Sequence, residues 1–129
     1  MLVAAALSAG CGLDLQSPDV FLLTRVGAAK LLTLLINDSG TVSCNGGKPK
    51  RLPGPLLLQA RDLATALDMD IKAKLRFAAG PGTVYRYTVK LQDGTLSFPD
   101  TAGARHTELA RTELLTVQVA EGPCGLSGQ

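Results

Sequence analysis

Three cysteines, one histidine and a closely spaced pair of aspartates are the residues of this 129-residue chain best suited to chemistry. Cys11, Cys44 and Cys124 are widely separated, and no Cys-x-x-Cys pair occurs, so they cannot supply the clustered thiolates of a zinc site. His106 lies in Gly103-Ala-Arg-His-Thr107 and is the sole imidazole. Nucleophilic catalysis needs a serine or cysteine activated by a neighbouring base, and no Gly-x-Ser-x-Gly elbow is present. A hydrolase built in an unfamiliar way around His106 is the one catalytic reading left open; a loop or cap histidine is the simpler one. Asp68 and Asp70 could begin a calcium loop, which needs glycine at its sixth position and glutamate at its twelfth. Those positions are Ala73 and Ala79, with Lys72 and Lys74 intruding, so the pair reads as polar surface at a helix end. The expectation is a non-enzymatic protein that uses no metal or cofactor.

The charge balance points the same way. Thirteen Lys+Arg against eleven Asp+Glu leave a formal charge of +2, too little for the basic field of a nucleic-acid-binding domain. Aromatics are 4% of the chain and tryptophan is absent, which leaves little for base stacking. One local concentration stands out. Lys48, Lys50 and Arg51 share the Gly- and Pro-rich segment Asn45–Pro55 with Gly46 and Gly47. Gly47-Lys48 is followed by Pro49, so this is no phosphate-binding P-loop. Contact with anionic lipid headgroups or an acidic partner would contribute ~1 kcal/mol per charge near a membrane surface. A solvated loop that keeps an apolar chain soluble is the alternative.

The segment before Cys11, Met1-Leu-Val-Ala-Ala-Ala-Leu-Ser-Ala-Gly10, is uncharged and ends in small residues, as the tail of a secretory signal does. Ten residues are too few to span a bilayer. Leu7-Ser-Ala-Gly-Cys11 resembles the lipobox of bacterial lipoproteins. That resemblance implies that Cys11 is diacylated and becomes the mature N-terminus, its two acyl chains sufficing for stable anchoring. A buried apolar N-terminal strand or helix with an ordinary core cysteine is the other reading. With Cys11 lipidated, Cys44 and Cys124 become an even pair in an oxidising compartment and are expected to form a disulfide rather than remain free thiols. The organisation is then a signal remnant at 1–10, a lipidated tether at 11–18 and one domain at 19–129. The expected address is the outer face of the cell membrane in a bacterial envelope.

Several elements must position these residues. Val20–Val26 and Leu31–Ile36 are β-rich and joined by Gly27–Lys30, short enough for a hairpin; Asn37–Gly40 turns into a third strand, Thr41–Cys44. Pro55 suits the first turn of a helix, and Leu56, Ala60, Leu63, Ala64 and Leu67 recur at helical spacing; this helix is expected to fray near Asp68–Asp70. Residues 71–82 read as irregular. Thr83, Tyr85, Tyr87, Val89 and Leu91 alternate with polar positions as a strand, with both tyrosines in the core, and Gln92-Asp-Gly94 turns into Thr95–Phe98. Thr107 can cap a final helix to about Ala120, with Ala110, Leu114 and Val117 as its apolar face. Five strands and two helices in the order β-β-β-α-β-β-α make an α+β fold, with an antiparallel sheet packed under helices on one face.

Taken together, the Ala-Gly-Cys11 box, Asp38-Ser-Gly-Thr-Val-Ser-Cys44, Pro81-Gly-Thr-Val-Tyr-Arg-Tyr87, the hairpin Asp93–Thr101 and the terminal Gly-Pro-Cys124-Gly resemble small actinobacterial envelope lipoproteins without an assigned activity. A fainter resemblance, over residues 20–120, is to emfourin, a small bacterial inhibitor of thermolysin-type metalloproteases. It rests on the order of elements and transfers no inhibitory residue. The implied function is a lipid-anchored, non-enzymatic protein that binds a protein or ligand through its loops, or alternatively inhibits a metalloprotease. The partners expected are the membrane, through the anchor, and another protein.

Overall fold

Apolar, β-rich runs set the sheet, and every second residue of each is buried. In a computed structural model, which describes residues 15, 16 and 18–129, strand β1 (Asp19–Gly27) buries Phe21, Leu23 and Arg25 on one face. Strand β2 (Lys30–Asn37) buries Leu32, Leu34 and Ile36, and β3 (Thr41–Cys44) buries Val42. A two-residue strand, β4 (Lys50–Arg51), precedes helix α1 (Gly54–Lys72); β5 (Arg86–Leu91) and β6 (Gly94–Pro99) form a hairpin, and α2 (Thr107–Glu121) follows a short 3-10 turn, Asp100–Ala104. The six strands are antiparallel throughout, in the order β4-β3-β2-β1-β5-β6.

Both helices cover the same face. Ala60, Leu63 and Leu67 of α1 and Leu109, Leu115, Val119 and Ala120 of α2 close the core over Phe21, Leu23, Val89 and Phe98. The N-terminal part of α1 lies by the β2–β3 turn, where Arg61 pairs with Asp38 at 2.7 Å, and its end reaches Gly94, where Ile71 packs. Helix α2 returns toward β3, to which Cys124 is bonded. The α+β class and the antiparallel sheet under helices are thus as expected, with six strands against about five. The additional strand forms because Asn45 and Gly46 adopt positive φ and reverse the chain, and Leu52 is buried and donates its N–H to Gly40 at 2.8 Å.

Three expectations need correction. Helix α1 does not fray at Asp68–Asp70 but runs to Lys72, supported by an Asp68–Lys72 ion pair at 2.8 Å. It stops by a Schellman arrangement: Leu75 N–H reaches Asp70 O, Lys74 N–H reaches Ile71 O, and Lys74 takes φ 58°. The hairpin strand starts at Arg86, not Thr83, because the Asp100 carboxylate accepts the Val84 and Tyr85 N–H groups at 3.2 and 3.1 Å, replacing a strand partner. The buried face of α2 is not Ala110, Leu114 and Val117; Leu114 is 57% exposed. The core face is Leu109, Thr112, Leu115, Thr116 and Val119. Thr112 and Thr116 act as apolar residues there because each hydroxyl donates to the carbonyl four residues earlier, at 2.8 Å.

Candidate functional site

Cys44 ends β3 and Cys124 lies just beyond α2, and the two form a disulfide with Cα atoms 5.9 Å apart. Their separation of 80 residues makes the crosslink worth about 4–5 kcal/mol in the chain-entropy account. The bond fits an oxidising, extracytoplasmic compartment. Among the described residues no helix is long and apolar enough to cross a membrane. Cys11 and the proposed signal remnant lie outside the described residues.

The basic segment sits beside this crosslink. Lys48 is exposed, and Lys50 and Arg51 form β4 at one sheet edge. Lys50 Nζ donates to the Cys124 carbonyl at 3.4 Å, so part of its role is structural. Register places Arg51 opposite Thr41, Thr41 opposite Asn37, and Asn37 opposite Asp19. That row marks the end of the sheet where the chain enters β1. The same end carries Asp19, Asp38 and Asp93, of which Asp38 is paired with Arg61, so Arg51 shares it with acids, whereas the β3–β4 turn carries Lys48 toward the middle of the sheet.

The opposite end carries exposed apolar side chains beside two cations, Lys30 and Arg86. The Gly27–Lys30 pairing leaves Ala28 and Ala29 as a two-residue turn, with φ of 51° and 59°. This left-handed geometry matches strand twist but costs a residue with a Cβ roughly 1–2 kcal/mol. Beside it Val26, Leu31 and Val84 are 52%, 64% and 54% exposed. Only glycine fits at position 27, because a Cβ there would lie 2.1 Å from the Val84 carbonyl oxygen. The hairpin and the segment entering β5 therefore form one exposed apolar surface.

The residues first considered for catalysis are dispersed. His106 stands at the N-cap position of α2, with its ring edge-on to Phe77 at a centroid distance of 4.9 Å. Asp68 is engaged with Lys72 on the surface, as a polar helix end should be. Asp70 departs from that reading and faces α2. Two ionised carboxylates cannot hydrogen bond, so Asp70 Oδ2, buried and otherwise without a partner, is satisfied only by a proton shared with Glu108. Burial and the Glu108 charge hold Asp70 up at about 7, while the bond from Asp70 pushes Glu108 down. Among the described residues no group of three His, Cys, Asp or Glu side chains is placed to hold a metal ion.

Sequence reasoning passed over two polar features. Arg25 is 2% exposed, lies 4.4 Å from the Tyr85 ring centroid and donates to Gln129 Oε1 at 2.5 Å. Period-two spacing from Phe21 and Leu23 puts it on their face, but Val20, Leu22 and Val26 make the other face equally apolar, so the sequence does not signal its burial. Tyr87 is in the core as expected, stacked on Phe98 at 5.1 Å, whereas Tyr85 is half-buried beneath Arg25. The second feature is a cleft of about 410 Å³ along the free edge of β6, bordered by Lys74, Arg76 and Arg86. These cations are scattered in sequence, and only the fold gathers them.

Compared with known proteins, the chain matches no family model, no curated protein and no solved structure.

Proposed function

We propose that this chain is a lipid-anchored, non-enzymatic envelope protein that holds a protein partner at the apolar end of its sheet. The observation that carries the reading is the opposition of the two ends. The tether following Cys11 would enter at Asp19, and the exposed Val26, Leu31 and Val84 lie at the far end of the nine-residue β1. At about 3.3 Å per residue this places the apolar surface some 25–30 Å from the entry point. A molecule anchored by Cys11 presents that surface away from the bilayer, while Arg51 lies toward the anionic headgroups, with Lys50 and then Lys48 successively farther from them.

A photocrosslinking residue at position 31 in the anchored protein tests this reading, with position 51, in the row of the chain entry, as the comparison. Discrete protein adducts at position 31 and lipid adducts at position 51 are expected. Adducts of one kind at both positions would contradict it.

A second reading, emfourin-like inhibition of a thermolysin-type protease, is favoured by the short, exposed two-residue Ala28-Ala29 turn, since a short loop loses little entropy on entering a cleft. Stoichiometric loss of protease activity on mixing is its expected result, and full activity at excess protein removes it.

A further inference from the structure

The β6 cleft runs along the free sheet edge, and its Arg86 lies in the same row as Val26 of the apolar end. Its volume of about 410 Å³ is within the range of small-molecule sites. Ile71, Phe77 and Leu96 supply apolar walls, Thr95 and Ser97 supply hydroxyls, and Lys74, Arg76 and Arg86 supply charge. No acidic residue borders it. The ion pairs among the described residues are Arg61–Asp38 and Lys72–Asp68, so the three cations around the cleft are uncompensated there.

Lys74 adds an independent observation. It occupies the left-handed position that ends α1, at φ 58°, where glycine is the favoured residue. A strained cation at the mouth of a cleft is the kind of outlier that function retains. Two guanidinium forks, an ammonium and two hydroxyls are more donors than one carboxylate can use, and they match a tetrahedral dianion. Ser97 Oγ already meets Thr88 Oγ1 at 3.2 Å, and a hydroxyl has capacity for a further bond.

We propose that this cleft binds a phosphate group, with the apolar walls receiving the uncharged part of the molecule that bears it. The phosphate can belong to a soluble phosphoester or to a lipid headgroup. Protection of an exposed edge strand by cations is the competing explanation of the same residues, and it predicts no saturable site.

The test is titration of the 129-residue chain with inorganic phosphate at constant ionic strength, followed through its backbone amide resonances. Saturable shifts at Lys74, Arg76, Arg86, Thr95 and Ser97 are expected. Affinity should fall at least tenfold in Arg76→Gln/Arg86→Gln and stay unchanged in the charge-matched control Lys30→Gln/Arg111→Gln, whose side chains are exposed elsewhere. Lys74→Gly should weaken phosphate binding while raising the melting temperature, a pair of opposite effects that a misfolded variant cannot produce. Vesicles of phosphatidylglycerol in phosphatidylcholine separate the sources. Loss of vesicle binding in the Arg76→Gln/Arg86→Gln variant assigns the phosphate to a headgroup, and retention alongside lost inorganic-phosphate binding assigns it to a soluble ester. Shifts that do not saturate, or that survive the double substitution, overturn the proposal.

Discussion

Glu113 and Asp70 show how individual side chains set the pH response of this fold. Burial, helped by the Asp100 charge, holds the Glu113 carboxyl up at about 7, and Oε2 of Glu113 has no hydrogen-bond partner. Asp70 reaches about 7 through burial and Glu108. Both groups titrate near 4 in an unfolded chain, so between about pH 4 and 7 the folded protein binds protons that the unfolded chain has released. Their contribution to stability is full below about pH 4 and is lost as pH rises through 7. The melting temperature is therefore expected to fall between pH 5 and 8, and Glu113→Gln should flatten that slope and raise the value at pH 8. A melting temperature that climbs over the same interval would show the carboxyls to be ionised in the fold. At the hairpin, Ala28→Asn with Ala29→Gly places the residues favoured by a type I′ turn at the two positive-φ positions. A gain of about 1–2 kcal/mol in urea unfolding is expected; no gain would mean that the turn relaxes at little cost.

At the scale of elements, the strands were the most legible part of the sequence. Val20–Val26 and Leu31–Ile36 are β-rich runs bounded by turn signals, which mark strands without knowledge of what lies above the sheet, although the interleaved Leu22, Leu31 and Leu35 leave the buried face unmarked. The C-terminal helix was legible in extent but not in orientation. Its apolar residues lie on both sides, and the core side is completed by Thr112 and Thr116, whose hydroxyls are satisfied within the helix and so cost nothing to bury. The observed face makes a sharp contrast. Leu115→Ala should destabilise by about 2–5 kcal/mol, whereas Leu114→Ser should stay within about 0.5 kcal/mol. Equal losses in urea unfolding would restore the face expected from periodicity. The end of α1 is not legible at Asp68–Asp70, because the stop comes from the left-handed backbone conformation of Lys74, a residue type that does not announce one. For the same reason the β6 cleft was invisible in sequence: its cations come from the segment after α1 and from β5, and no spacing rule connects them.

Across the whole molecule, the Cys44–Cys124 bond, the row from Arg51 to Asp19 and the exposed Val26–Leu31 end give the domain a direction. The disulfide ties the segment after α2 to the β3 side of the sheet, so the covalent staple and the chain entry secure different strands. Direction acquires meaning only with an anchor, and the proposed function therefore rests most heavily on Cys11. Intact-mass spectrometry of the mature protein, purified from the membranes of a bacterium that processes lipoproteins, tests that claim most directly. The account predicts a chain beginning at Cys11 and carrying a diacylglyceryl group, replaced by the unprocessed lipidated precursor when globomycin blocks the signal peptidase. A protein of unmodified mass that still contains the residues before Cys11 would contradict it.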